Sequence, residues 1–92
     1  MPTIKNFQRQ VRRIEGFDVR VRHLDGRDVR DDMRIRADYG YARAAAGNAS
    51  VSEWRSRRAE SVLPGFVVEV LSAQGKPVHG RTLLENVRAG YE

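Results

Sequence analysis

Apolar residues along this chain change period several times, and each change marks an element. Over residues 3 to 15, Ile4, Phe7, Val11 and Ile14 recur at spacings of three, four and three, one narrow stripe on a helical wheel. Thr3 is the expected N-cap and Gly16 the expected residue just past the end, where a left-handed backbone carries no steric cost. The period then drops to two. Phe17, Val19 and Val21 alternate with Asp18, Arg20 and Arg22, the pattern of a half-buried strand. A three-residue loop Leu24-Asp25-Gly26 places Val21 opposite Val29, Arg20 opposite Arg30 and Arg22 opposite Asp28. A two-residue loop would mix the faces, so the longer turn with glycine in its left-handed place is preferred.

The same construction recurs at residues 66 to 79. Phe66, Val68 and Val70 point inward, and a loop at Ala73-Gln74-Gly75 brings Val70 opposite Val78. Gly16, Phe17, Val19, Val21, Gly26 and Val29 coincide without a gap with Gly65, Phe66, Val68, Val70, Gly75 and Val78. A fainter echo comes after each hairpin, IRADY at 35 to 39 and VRAGY at 87 to 91. The pattern outlines an internal repeat, 16–39 and 65–91, readable either as an old duplication or as two copies of a common hairpin solution.

Between the hairpins, Asp38 is expected to cap a short helix over YGYARAAA, ended by Gly47. A firmer helix starts at SVSE, residues 50 to 53, which has the form of a capping box, and stops at Leu63-Pro64-Gly65. Val51, Trp54, Ala59 and Val62 form its inner arc, yet Arg55 and Arg58 fall within the same arc. Their stems are expected to cover the core edge while the guanidiniums reach water or a carboxylate; the alternative is that they point into a groove where an anion binds. A second box, TLLE at 82 to 85, opens a last short helix with Leu83, Leu84, Val87 and Tyr91 inward. The expected fold is α+β in the order α-ββ-α-α-ββ-α. The two β-hairpins would share one four-stranded antiparallel sheet with helices packed on one face.

Composition adds bounds to this picture. The 92 residues suit a single compact domain, 1–92, and the chain has no cysteine for disulfides or thiolate metal sites. No long apolar run marks a secretory leader or a membrane span, so the expected location is cytoplasmic. The net charge is +5, and its distribution is uneven: residues 1–36 hold ten basic and six acidic side chains, whereas 65–92 hold three of each. Fifteen of the seventeen cations are arginine, a bias that a GC-rich genome produces without selection for phosphate contacts.

Catalytic and metal-binding patterns are not found. There is no nucleophile elbow and no phosphate-cradling glycine loop, and the registers above put His23 on the inner face and His79, opposite Glu69, on the outer one. No catalytic residue, metal ligand or cofactor is therefore assigned, and the chain is expected to be non-enzymatic. PGFVVEV at 64 to 70 resembles a strand of the RNA-recognition domain, but Phe66 is its only aromatic and alternation turns it to the core.

The surface supports two binding readings. In the first, Arg20, Arg22 and Arg30 on the open face of the first hairpin, assisted by Arg9, Arg12 and Arg13 of the first helix, contact the phosphate backbone of DNA or RNA. Asp18, Asp28, Asp31 and Asp32 lie among them and weaken the local field. In the second, Val67 and Leu71 with Glu69 and His79 form an outer strip on the second hairpin that serves a protein partner or a homodimer.

Overall fold

A computed structural model describes residues 2–92. In chain order it contains α1 (Ile4–Glu15), β1 (Val19–His23), a composite helix α2, β2 (Phe66–Val70) and α3 (Leu84–Ala89). Helix α2 opens as α-helix over Val51–Trp54, widens to a π-helical turn over Arg55–Ala59 and closes as α-helix over Glu60–Val62. Both helix starts are capping boxes. Thr3 accepts from the Asn6 backbone and Ser50 from the Glu53 backbone, and each third residue returns a bond to its cap.

The fold is α+β, but the four-stranded sheet made from two hairpins is not what forms. The only sheet among the described residues has two strands, β1 and β2, paired antiparallel. Both turns keep the anticipated register: Gly26 and Gly75 take φ of 91° and 79°, Arg22 bridges Asp28, and Leu71 bridges Pro77. The return arms then leave the ladder. The reason lies in the helix starts, whose first backbone N–H groups have no partner inside the helix. Ile4 and Lys5 donate to the carbonyls of Met33 and Asp31, and Val51 and Ser52 donate to those of Thr82 and Gly80. Each return arm is thus drawn off to cap the helix of its own half. Pro77, with no N–H, also cannot extend a ladder.

The hydrogen bonding of one half therefore recurs in the other. Ile35 donates to Pro2 as Leu84 donates to Ala49, and the Thr3–Arg34 bridge has its counterpart in Ser50–Leu83. Positions 16–35 match 65–84 at an offset of 49. At the centre of the ribbon Arg20 faces Glu69, its own counterpart, while Val19 faces Val70 and Val21 faces Val68. Exchanging the halves leaves this register unchanged.

The π-helical turn has a packing reason. In α1 the buried positions are Ile4, Phe7, Val11 and Glu15, at spacings of three, four and four. Along the second helix they are Val51, Trp54, Ala59 and Leu63, at spacings of three, five and four. A five-residue step stays on one face only if the helix widens there, and the Glu60 N–H accordingly donates to the Arg55 carbonyl. Arg55 and Arg58 nonetheless stay half-buried beside this face, and Arg58 reaches a buried carboxylate, Glu15, at 2.8 Å.

One core joins the halves. Phe17 meets Trp54 edge-on at 5.1 Å and Phe7 meets Tyr39 at 5.7 Å, with the valines of both strands beneath. Two further expectations fail. YGYARAAA forms no helix, because Tyr39 is pinned inside the core and its N–H donates to Gln10 Oε1 at 2.9 Å. The last helix starts one residue later than expected, with Leu83 at the N-cap position and no side-chain cap, while the Thr82 carbonyl accepts from the Val51 N–H. No helix among the described residues is long and apolar enough to cross a membrane.

Candidate phosphate-binding surface

Arg20 and Arg22 lie on one face of the ribbon, Arg30 stands on the return arm outside the ladder, and carboxylates meet all three. Glu69 Oε1 accepts from Arg20 Nε at 3.3 Å and from Arg22 Nε at 2.5 Å. Arg22 also reaches the Gly26 carbonyl at 2.8 Å and Asp28 at 3.5 Å. Arg30 pairs with Asp32 at 3.0 Å, and both side chains are exposed. Such pairs hold side chains loosely, each contributing about 0–1 kcal/mol, but they cancel much of the local positive field. Arg20 and Arg22 thus share a face as alternation predicts, but Arg20 lies opposite Glu69 and not opposite Arg30, and the charges are largely neutralised.

Helix α1 differs. Lys5, Arg9 and Arg13 succeed one another at i, i+4 and i+8, about 6 Å apart along the axis. All three are exposed, and none has a carboxylate within 4 Å among the described residues. Arg12 stands beside them, bonded to Asp18 at 3.1 Å with its guanidinium 4.7 Å from the centre of the Tyr91 ring. These cations line an open groove of ≈ 430 Å³ whose other wall carries Asp18 and Asp31. Neighbouring like charges four residues apart work against the helix by about 0.2–0.5 kcal/mol per pair. The first turn of α1 contains no acidic residue to offset Lys5.

The residues of the second candidate strip lie on the far strand and beyond it. Val67 and Leu71 are half-buried, Glu69 is engaged by the two arginines, and His79 is exposed, its Nδ1 accepting from the Arg81 backbone at 3.1 Å. Leu24, at 76% exposure, is the one large apolar residue left open among the described residues. His23 packs near Phe66, ring centres 5.6 Å apart. No group of three or more metal-ligating side chains assembles among the described residues.

Sequence reasoning passed over Glu15. Its side chain is fully buried: Oε2 accepts from Arg58 Nη1 at 2.8 Å and from the Tyr39 hydroxyl, and Oε1 accepts from Arg88 Nη2 at 2.8 Å and the Ala45 N–H at 2.9 Å. Trp54 Nε1 donates to the Tyr39 oxygen at 2.9 Å. Burial, and then the bond to Glu15, push the Tyr39 hydroxyl above the usual tyrosine range. The arrangement is fully satisfied and closed to solvent on the Glu15 side, so it ties segments together rather than presenting a reactive group. The signal was available: the apolar stripe of α1 extended by four residues from Val11 lands on this carboxylate.

Against this geometry stand the comparisons with known proteins. No family model, curated protein or solved structure matches the chain.

Proposed function

We propose that this chain is a non-enzymatic binding protein for the phosphate backbone of nucleic acid. Helix α1 is its principal contact surface, through Lys5, Arg9 and Arg13. The observation that supports the reading is the contrast within the basic third of the molecule: Arg20, Arg22 and Arg30 are neutralised by neighbours, whereas these three cations stand in a row without partners among the described residues. A row of like charges that strains its own helix is relieved when an anion lies along it. Arg20, Arg22 and Arg30 then serve as secondary contacts. The outer strip of β2 offers a protein partner less, since Val67 and Leu71 are half-covered and Glu69 is already paired.

Fluorescence anisotropy with random-sequence duplex DNA and single-stranded RNA, at low and physiological salt, tests the reading. Three phosphate contacts give a slope of log K against log salt near −2.7 on duplex DNA, from about −0.9 per contact. Replacing Lys5, Arg9 and Arg13 together with alanine abolishes the binding, and replacing Arg20, Arg22 and Arg30 weakens it less. Absence of binding at low salt, or binding indifferent to the α1 substitutions, overturns the proposal.

A further inference from the structure

Beyond their matched segments the two halves diverge, and the divergence leaves a seat empty. In the second half, the chain after Leu84 becomes α3 and packs over the end of α1 and the start of β1. Leu84 and Val87 are buried there. Arg88 Nε donates to the Glu15 carbonyl at 2.6 Å. The Tyr91 hydroxyl accepts from the Asp18 N–H at 2.9 Å and donates to the Leu71 carbonyl at 2.5 Å, closing one end of the strand ladder. In the first half, the chain after Ile35 takes another course. It runs to Tyr39, whose ring fills the space between Phe7 and Trp54.

The counterpart of the α3 seat is consequently uncovered. By the exchange of halves it lies between residues 33–36 and the end of α2, and a groove of ≈ 310 Å³ is found there. Its floor and walls are Met33, Ile35, Val62, Leu63 and Phe66. Phe66 occupies the place that Phe17 takes beneath Arg88. At the rim stand Arg34 and Arg36, both exposed and without a carboxylate within 4 Å among the described residues. They correspond to Leu83 and Glu85, the cap and first turn of α3, and so flank the point where a helix seated in the groove begins.

We infer that this groove receives a short amphipathic helix from another protein, with acidic residues in the first turn and apolar residues one turn apart along the seated face. Two observations select that occupant. A helix of this size already fills the equivalent seat elsewhere in the chain, and the two guanidiniums lie where a first-turn carboxylate also complements the helix dipole. The surface is separate from the α1 groove, so the inference stands or falls independently of nucleic-acid binding.

The test titrates isotope-labelled full-length chain with a synthetic peptide of residues 81–92 carrying Arg81→Glu and Arg88→Ala, and tracks backbone amide shifts. Saturable shifts confined to residues 33–36 and 62–66 are expected. Affinity should be about tenfold lower for the Arg34→Glu/Arg36→Glu chain, whose own amide spectrum reports that it remains folded. The parent peptide, with both arginines, should bind more weakly than the acidic one. Absence of shifts up to millimolar peptide overturns the inference. So do shifts centred on residues 15–18, which mark displacement of α3, shifts along Lys5 to Arg13, and equal binding by the charge-reversed chain.

Discussion

At matching stations of the two helices, one half buries Glu15 and the other Leu63, each at 2% exposure or less. The surroundings differ accordingly. The carboxylate draws in Arg58 from α2, Arg88 from α3, and Tyr39 and the Ala45 N–H from the connecting segment, so that three separate segments converge on it. The leucine needs no partner and has a groove beside it. A buried charge here specifies where the connecting segment and the last helix dock. An apolar residue at the same station contributes burial but does not dictate what lies next to it.

Glu15→Leu is the most direct way to break that contrast. It leaves two part-buried guanidiniums without their carboxylate, and loss of one partner in a buried ionic group costs about 3–5 kcal/mol, a large part of the stability of a domain this size. A shift of the urea midpoint should show it. Glu15→Leu combined with Arg58→Met and Arg88→Met removes the charges together and should recover stability to within about 1–2 kcal/mol of the parent. A neutral single substitution would mean that the carboxylate does not organise this half.

Tyr39 sharpens the same comparison through pH. Tyr39→Phe leaves the Trp54 indole N–H without its acceptor and should cost about 1–3 kcal/mol. Because the folded-state pKa is raised, the hydroxyl's contribution is fully present below the unfolded value of about 10 and is lost as pH rises from there through the folded pKa. Urea unfolding at pH 8 and at pH 11 should show an alkaline decline in the parent that is smaller in Tyr39→Phe.

How much of this is legible in the sequence depends on where each signal resides. Helix α1, the start of α2, both strands and the two turns are written in local period, caps and glycines, and all of them form. The return arms escape a local reading because their fate depends on competition. Residues 28–30 are suited to pairing, but the orphan donors at the helix starts take the carbonyls just beyond each arm, and only Pro77 in the second arm records locally that the ladder stops. The YGYARAAA segment fails for a related reason: alanine-rich helix propensity is weak against Tyr39 buried between Phe7 and Trp54. At the candidate surface, alternation places Arg20 and Arg22 on one face correctly. The reach of Glu69 between them depends on the pairing of β1 with β2, which separates partners by 49 and 47 residues.

The glycines that close the two helices provide a control in which the halves should behave alike. Gly16 and Gly65 have φ of 86° and 85°. A methyl group on Gly16 would sit 3.7 Å from Arg88 Cγ, and one on Gly65 would meet nothing within 4 Å. Neither site is crowded, so backbone strain sets the effect: Gly16→Ala and Gly65→Ala should each lose about 1–2 kcal/mol, and by similar amounts. A much larger loss at Gly16 in thermal unfolding would show that the seat of α3 is less tolerant than its spacing indicates.

The smallest effect on stability should come from the surface with the largest proposed effect on binding. Replacing Lys5, Arg9 and Arg13 with alanine relieves two like-charge pairs, each unfavourable by about 0.2–0.5 kcal/mol, and introduces the best helix former, which offsets the loss of Arg13 from the last turn, where a cation favours the helix. The triple variant should therefore unfold at the same urea concentration as the parent or slightly above it, while losing salt-sensitive binding to DNA and RNA. Arg12→Ala serves as the contrast on the same helix, because Arg12 is tied to Asp18 and stacked on Tyr91. It should lower stability by up to about 1 kcal/mol and change binding less. If instead the triple variant unfolds markedly earlier, the row of cations contributes to holding the helix in place, and it carries no strain for an external anion to relieve.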